Sequence, residues 1–197
     1  MTAFPFSMGR ARNANAGRGN AMVQQGLIHV YYGEGKGKTT AALGLALRAS
    51  GCGKRVLFLQ FLKGGPCGEL AQLALLPGLT VWRGQEGMRF VEQMTEKERA
   101  ETLQNQNALL ARAVSLAEAG ACELLALDEV LDACQEGLLD ESLLRRIILR
   151  KPAALELVIT GHKPAEWVLD RADYITEMIK RRHPYDRGVA ARRGIEF

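Results

Sequence analysis

The chain has 197 residues, of which 47% are hydrophobic and 24% are charged, and its formal net charge is +4. This length suits one domain with a buried core, and the small charge, spread over interleaved basic and acidic residues, argues against a nucleic-acid groove. No apolar run is long enough to span a bilayer and the N-terminus lacks the apolar core of a secretory signal, so we expect a cytoplasmic protein that binds neither membranes nor nucleic acid.

The first 25 residues are rich in Ala, Asn, Gly and Arg and show neither a helical nor a strand period. This composition predicts a flexible N-terminal arm. Arg10, Arg12 and Arg18 leave two interpretations open, a solvated tail or an arm that folds over a bound anion. We assign residues 26–197 to a single domain.

A glycine-rich turn separates an apolar strand-like run from a helix-forming stretch in residues 27–40, LIHVYYGEGKGKTT. Gly33, Gly35 and Gly37 allow a tight turn whose successive amide N–H groups can face an anion at a helix N-terminus. Lys38 would add a charge near phosphates, and Thr39 would add a hydroxyl ligand for Mg²⁺. The segment therefore predicts a P-loop that binds a nucleotide.

The match to the P-loop pattern is incomplete. The general form GxxxxGK[ST] would need a glycine at position 32, where this chain has Tyr32, so the motif becomes GxxxGKT and the loop is one residue shorter. A plain strand-to-helix turn is the alternative interpretation, but the flanking strand and helix favour the nucleotide site.

Strand and helix patterns alternate after this loop. We expect a helix over 39–50, a buried strand over 55–61 followed by the loop Lys63–Gly65, a short helix over 69–76 and a strand over 79–82. Thr95 and Glu98 form a capping-box pattern that predicts a long helix ending near Gly120. Further elements are expected at these positions: strand 123–127, helix 142–149, strand 155–160, a helix beginning at Pro164 and strand 174–178.

This alternation predicts an α/β protein with a P-loop NTPase-like, three-layer fold and a mostly parallel central sheet. In such a sheet, ligands bind beyond the carboxyl ends of the strands. Asp128 and Glu129 stand at such an end after an apolar run, which is the Walker B arrangement for holding Mg²⁺ directly or through water. The alternative is that Asp128 only caps the segment that follows.

Several other polar and apolar residues have two interpretations. His162 and Lys163 follow a strand, where they would place a cation near phosphates or simply form a solvated loop. His183 either takes part in function or is a structural histidine before a proline. Trp82, Met88 and Phe90 either belong to the core or form a wall for a flat apolar ligand.

Four segments in order resemble one known family, the P-loop ATP:cob(I)alamin (corrinoid) adenosyltransferases of cobalamin biosynthesis and salvage. The segments are GEGKGKTTAALGLALRASG, LFLQFLKG, LALDEV and HPYDRGVAARRGIEF, and the likeness extends from Gly26 to Phe197. The resemblance implies transfer of the 5′-deoxyadenosyl group of ATP to the Co(I) centre of a reduced corrinoid, with release of triphosphate.

The resemblance also implies roles for residues of this chain. It implies Mg²⁺ as cofactor, ATP and a corrinoid as substrates, a homodimer and a flavoprotein reductant as partner. The implied residues are Lys38, Thr39 and Glu129 for catalysis, Gly33, Glu34, Gly35, Lys36, Gly37, Lys38, Thr39 and Thr40 for ATP, Thr39, Asp128 and Glu129 for Mg²⁺, and Met88, Phe90 and His183 near the corrinoid.

The chain departs from the family pattern at three places. His162 stands where the family commonly has arginine, Asp132 stands near the position of a tyrosine, and Met88 replaces one of the loop aromatics. Two other functions stay open at this point. One is a small-molecule kinase or ATPase in which water or a hydroxyl attacks the γ-phosphate, and the other is a nucleotide-sensing protein without turnover.

Overall fold

Six strands form one sheet in the computed structural model, which describes residues 25–65, 67–84, 87 and 89–196. The strand order is β3-β2-β4-β5-β1-β6, and every neighbouring pair is parallel. The predicted α/β fold with a mostly parallel sheet is therefore confirmed. The predicted N-terminal arm lies outside the described residues except for Gln25.

The elements alternate along the chain as the sequence predicts. The strands are β1 Ile28–Tyr32, β2 Val56–Gln60, β3 Leu79–Arg83, β4 Leu124–Asp128, β5 Glu156–Gly161 and β6 Tyr174–Glu177. The helices are α1 Lys38–Gly51, α2 Glu69–Leu73, α3 Glu96–Glu118, α4 Val130–Gln135, α5 Glu141–Leu149 and α6 Glu166–Leu169, with short 3-10 turns at Val91–Gln93 and Pro184–Arg187. Among the described residues, no helix combines the length and apolarity that a membrane crossing requires.

Two hydrophobic clusters cover the two faces of the sheet. Phe58 and Ala126 lie on the face that α1 covers, and both are fully buried. Leu59 and Leu127 lie on the opposite face, where they pack with residues of α3 and α5. Because both faces are covered, β2 and β4 read as nearly continuous apolar runs, as buried parallel strands do.

The capping box of α3 is present as the sequence predicts. The backbone N–H of Glu98 donates to the hydroxyl of Thr95 at 3.3 Å, and the backbone N–H of Thr95 donates to the Glu98 carboxylate at 2.8 Å. These two hydrogen bonds satisfy amides that no helical carbonyl can reach.

Some boundaries differ from the sequence prediction. Helix α2 ends at Leu73 because the chain turns there toward Pro77 and Gly78. Helix α6 begins at Glu166, since Ala165 is still extended. The six-residue helix α4 was not predicted, because it is too short to show a clear helical period.

The glycine-rich loop after β1 packs closely against the segment that follows β6. The N–H of Gly35 donates to the carbonyl of Met178 at 2.6 Å, and the N–H of Gly33 donates to the carbonyl of His162 at 3.0 Å. A Cβ atom on Gly35 would lie 2.6 Å from the Met178 carbonyl oxygen. This contact, together with the positive φ of Gly33 (107°), explains why glycine is needed here.

We expect Thr95→Ala to lower the free energy of unfolding by about 1 kcal/mol, because the backbone N–H of Glu98 in the first helical turn loses its hydroxyl acceptor. Urea unfolding followed by circular dichroism measures this. Ser115→Ala, on the exposed side of the same helix, is the control and should change stability by no more than about 0.5 kcal/mol. Equal effects in both variants would contradict the role of the capping box.

We expect Gly35→Ala to destabilise the protein by roughly 1–3 kcal/mol, since the new methyl group overlaps the Met178 carbonyl and the backbone must shift. Gly44→Ala is the matched control, because nothing lies within 4 Å of a Cβ atom at that helical position. This control should gain about 0.5–1 kcal/mol of stability. An unfolding midpoint for Gly35→Ala equal to that of the wild type would refute the close approach.

Candidate active site

The carboxyl ends of four central strands bring the predicted site residues to one edge of the sheet. The glycine-rich loop follows β1, Lys63 follows β2, Asp128 ends β4 with Glu129 directly after it, and Thr160 lies near the end of β5. These strands are neighbours in the order β2-β4-β5-β1, so the segments that follow them meet. This is the edge at which open parallel sheets bind ligands.

The N-terminus of α1 presents amide groups that are free to bind an anion. The helix begins at Lys38, and its N-cap Gly37 has a left-handed conformation with φ 118°. Within the described part of the chain, the amides of residues 36–40 donate to no protein acceptor. Unpaired amides and the helix dipole together favour a negatively charged group at this position.

Two amides of the loop do not take part in this cradle. The N–H groups of Gly33 and Gly35 donate to protein carbonyls, as described above, so they do not face an anion in this structure. The expectation that all three glycines align their amides toward phosphates is therefore wrong for these two. They serve to seat the loop on the fold.

The charged side chains of the loop point in different directions. The ammonium of Lys38 donates to the carbonyls of Gly33 at 2.6 Å and Gly35 at 3.1 Å, and it thus curls over the loop. Lys36 instead reaches the C-terminal segment, where its ammonium lies 3.3 Å from the Glu196 carboxylate. Of the remaining predicted nucleotide residues, Glu34 and Thr40 are exposed.

Asp128 is the buried centre of the predicted metal site. Its side chain is fully buried, and its Oδ1 accepts hydrogen bonds from the hydroxyls of Thr39 at 2.9 Å and Thr160 at 2.8 Å. The Thr160 hydroxyl in turn accepts the backbone N–H of Glu129 at 2.8 Å. The structure therefore brings together Thr39, Asp128 and Glu129, the three residues predicted for Mg²⁺.

Lys63 belongs to the same cluster, although sequence reasoning did not assign it to the site. Its ammonium lies 2.7 Å from Asp128 Oδ2, 3.2 Å from Glu129 Oε1 and 3.0 Å from the Thr39 hydroxyl. Burial acts to lower the pKa of Lys63, but the two carboxylates more than reverse this and the pKa is raised. The signal that points to Lys63 is its position just after a parallel strand, inside the LFLQFLKG segment.

Glu129 has an unusual backbone and a perturbed carboxyl group. Its φ is 63°, which is rare outside glycine and is typical of positions that the surrounding structure holds for function. Burial raises the pKa of Glu129, with the neighbouring charge of Asp128 adding to the shift and Lys63 opposing it.

The donor atoms of this cluster suit a hard cation. One hydroxyl and two carboxylates surround a position that the positively charged ammonium of Lys63 occupies in this structure. No group of three or more His, Cys, Asp or Glu side chains arranged for a metal occurs in the part of the chain that the structure describes. Mg²⁺ commonly uses one or two carboxylates and takes its other ligands from phosphates and water, so the residues present fit it.

His162 lies beside the glycine-rich loop. Its ring Nδ1 is 3.0 Å from the Asp132 carboxylate, and its backbone carbonyl accepts the N–H of Gly33. The side chain of Lys163 is exposed, and its carbonyl accepts a hydrogen bond from the side chain of Gln135. His162 therefore contacts the loop through its backbone carbonyl, while its ring is paired with Asp132.

The residues predicted near a flat ligand are not joined to the loop by any hydrogen bond or ion pair among the described residues. Phe90 is 76% exposed, and His183 caps the turn Pro184–Arg187, where its Nδ1 accepts the N–H of Tyr185 at 3.2 Å. Met88 lies outside the described residues. Trp82 packs against the core with Arg112 over its ring at 4.4 Å, which supports the core interpretation.

Comparison with known proteins gives one family. The model of the ATP:corrinoid adenosyltransferase BtuR/CobO/CobP family matches residues 24–197. A corrinoid adenosyltransferase of Escherichia coli (strain K12) is 32% identical over 181 residues, which cover 90% of this chain and 88% of the relative.

Two further relatives give the same result. The corrinoid adenosyltransferase CobA of Salmonella typhimurium is 32% identical, with 90% of this chain and 88% of the relative covered. A corrinoid adenosyltransferase of Pseudomonas aeruginosa is 30% identical, with 88% and 85% covered. The resemblance seen in the four sequence segments is confirmed over nearly the whole described chain, and this protein belongs to the ATP:corrinoid adenosyltransferase family.

Proposed function

We propose that this protein transfers the 5′-deoxyadenosyl group of ATP to the Co(I) centre of a reduced corrinoid and releases triphosphate. The observation that carries the proposal is the open N-terminus of α1 beside the oxygen cluster of Thr39, Asp128 and Glu129. In a member of this family, that arrangement is suited to hold a whole triphosphate as it leaves.

The reaction requires no nucleophile from the protein. Reduced cobalt attacks the 5′ carbon of the ribose, the new cobalt–carbon bond forms, and the electron pair of the carbon–oxygen bond leaves with the triphosphate. No serine, cysteine or general base has to be activated for this step. The protein must instead stabilise the charge of the leaving group and align the two reactants.

Binding and charge stabilisation come from the loop. The amides of residues 36–40 would hold phosphate oxygens, and Lys38 would leave the carbonyls of Gly33 and Gly35 for the stronger attraction of the phosphates. Preorganised donors of this kind gain strength in a site from which water is excluded.

Thr39, Asp128 and Glu129 would hold Mg²⁺, with Thr160 orienting Asp128 from behind. When bound, the ion would neutralise part of the charge on the departing triphosphate. Alignment of the cobalt with the 5′ carbon lowers the activation barrier further, because well-oriented reactants can save roughly 7 kcal/mol or more.

Other parts of the proposal rest on the family resemblance. Met88, Phe90 and His183 remain the predicted corrinoid-facing residues, and the exposed ring of Phe90 suits contact with a flat apolar ligand. A flavoprotein reductant, a homodimer and a cytoplasmic location also stay predictions.

The products decide between the candidate functions. Protein, MgATP and chemically reduced cobalamin should together yield triphosphate and a light-sensitive alkylcobalt compound, followed by visible absorption before and after illumination. ADP with orthophosphate would indicate an ATPase, ADP with a phosphorylated acceptor would indicate a kinase, and unchanged ATP would indicate a nucleotide sensor. Any of these outcomes refutes the proposed transfer.

We expect Lys38→Ala to lower the turnover number by about 10²–10³-fold, because one preorganised positive charge on the leaving group is lost. The rate of alkylcobalt formation at saturating ATP measures this effect. Lys97→Ala, on the exposed surface of α3, is the control and should keep the wild-type rate. Wild-type turnover in Lys38→Ala would contradict the role of this lysine.

We expect Glu129→Gln to raise the Mg²⁺ concentration needed for half-maximal rate by on the order of tenfold, since a charged oxygen ligand becomes neutral. Initial rates measured over a Mg²⁺ series at fixed ATP test this. Glu136→Gln, at the exposed end of α4, serves as the matched control. An unchanged Mg²⁺ profile in Glu129→Gln would remove this residue from the metal site.

A further inference from the structure

The ammonium of Lys63 stands at the position that the metal ion is expected to take. It contacts the Thr39 hydroxyl at 3.0 Å, Asp128 Oδ2 at 2.7 Å and Glu129 Oε1 at 3.2 Å. Its side chain is only 20% exposed. One lysine thus makes a polar contact with each of the three residues assigned to Mg²⁺.

The backbone around the cluster is built to hold this arrangement. Leu62 and Glu129 have φ angles of 52° and 63°, and they are the two non-glycine residues with positive φ in the described part of the chain. One immediately precedes Lys63 and the other is its ion-pair partner. Such conformations persist only where the surroundings enforce them.

Contacts on either side of Lys63 supply that enforcement. The N–H of Phe61 donates to the carbonyl of Asp128 at 2.9 Å, and the carbonyl of Gly64 accepts the N–H of Gly87 at 3.2 Å. The side chain of Leu62 packs against the main hydrophobic cluster. The position of Lys63 is therefore fixed by the fold from both sides, unlike that of an exposed lysine.

The charges explain why a cation is needed at this position. Asp128 is fully buried, and Glu129 adds a second carboxylate beside it. The two carboxylates repel each other, and the one that is fully buried, Asp128, requires a positive partner. In the protein without nucleotide, Lys63 is that partner.

An ammonium and a metal ion compete for the same oxygens. Mg²⁺ binds its ligands at about 2.0–2.1 Å and tolerates little distortion, so it cannot share these oxygens with an ammonium that contacts all three residues. A nucleotide changes the balance, because its phosphates offer ligands to the metal and another anionic partner to Lys63.

We propose that Lys63 is the resident counter-cation of the metal site, which suppresses divalent-ion binding in the absence of nucleotide and makes the metal enter together with ATP. The inference rests on the proposed function in that the nucleotide is ATP. It assigns to Lys63 a positioning role, since the residue acts through Thr39, Asp128 and Glu129 and not on the reacting atoms.

Mn²⁺ binding to the nucleotide-free protein tests the proposal, with electron paramagnetic resonance reporting the free ion. Lys63→Met keeps an unbranched side chain, shorter than lysine only by the terminal ammonium, and removes its charge. We expect it to bind Mn²⁺ at least about tenfold more tightly than the wild type, because a competing positive charge at the site is gone. Lys63→Arg and the surface control Lys97→Met should bind Mn²⁺ as weakly as the wild type.

A double variant and a stability measurement guard against misfolding. Lys63→Met combined with Asp128→Asn should lose the gained Mn²⁺ affinity. Added Mn²⁺ should raise the melting temperature of Lys63→Met but not that of the nucleotide-free wild type, because binding to the folded state stabilises it. The wild-type measurement stands even if a variant does not fold.

Equal Mn²⁺ affinity in the wild type and Lys63→Met overturns the inference, as does a rise in the wild-type melting temperature with Mn²⁺ alone. Failure of the proposed function has a different signature. If wild-type protein with MgATP and reduced cobalamin forms no triphosphate, the transfer reaction is refuted while the Mn²⁺ result is unaffected.

Discussion

The buried carboxylate of Asp128 is the group on which the arrangement of the site depends. It fixes the Thr39 hydroxyl at the start of α1, the Thr160 hydroxyl on β5 and the Lys63 ammonium after β2. Three separate parts of the chain are thus held by one side chain that water does not reach. A charge so placed is stable only while its partners stay in position, which ties the geometry of the site to the integrity of the sheet.

Much of the fold could be predicted because its signals are local. A few consecutive residues are enough to recognise three features: the apolar runs of β2 and β4, the glycine-rich loop before α1 and the Thr95–Glu98 capping box. The pairing of Thr39 with Asp128 was also predictable, since both lie at the carboxyl edge that parallel strands share.

What the sequence did not reveal depends on strand order. Lys63 meets Asp128 only because β2 lies directly beside β4, and no local pattern states this. The amides of Gly33 and Gly35 likewise donate hydrogen bonds to carbonyls of the segments that follow β5 and β6. Helix α4 was not predicted for another reason, because six residues are too few to show a recognisable helical periodicity.

The position of β1 in the sheet has a consequence for how the protein is made. This strand comes first among the described elements, yet its neighbours, β5 and β6, are the last two strands. Closing so long a stretch of chain is entropically costly and slow. We expect the anion cradle to acquire its shape late in folding, after the carboxyl-terminal third of the chain has been synthesised, and shortened translation products ending before β5 to be unable to capture nucleotide.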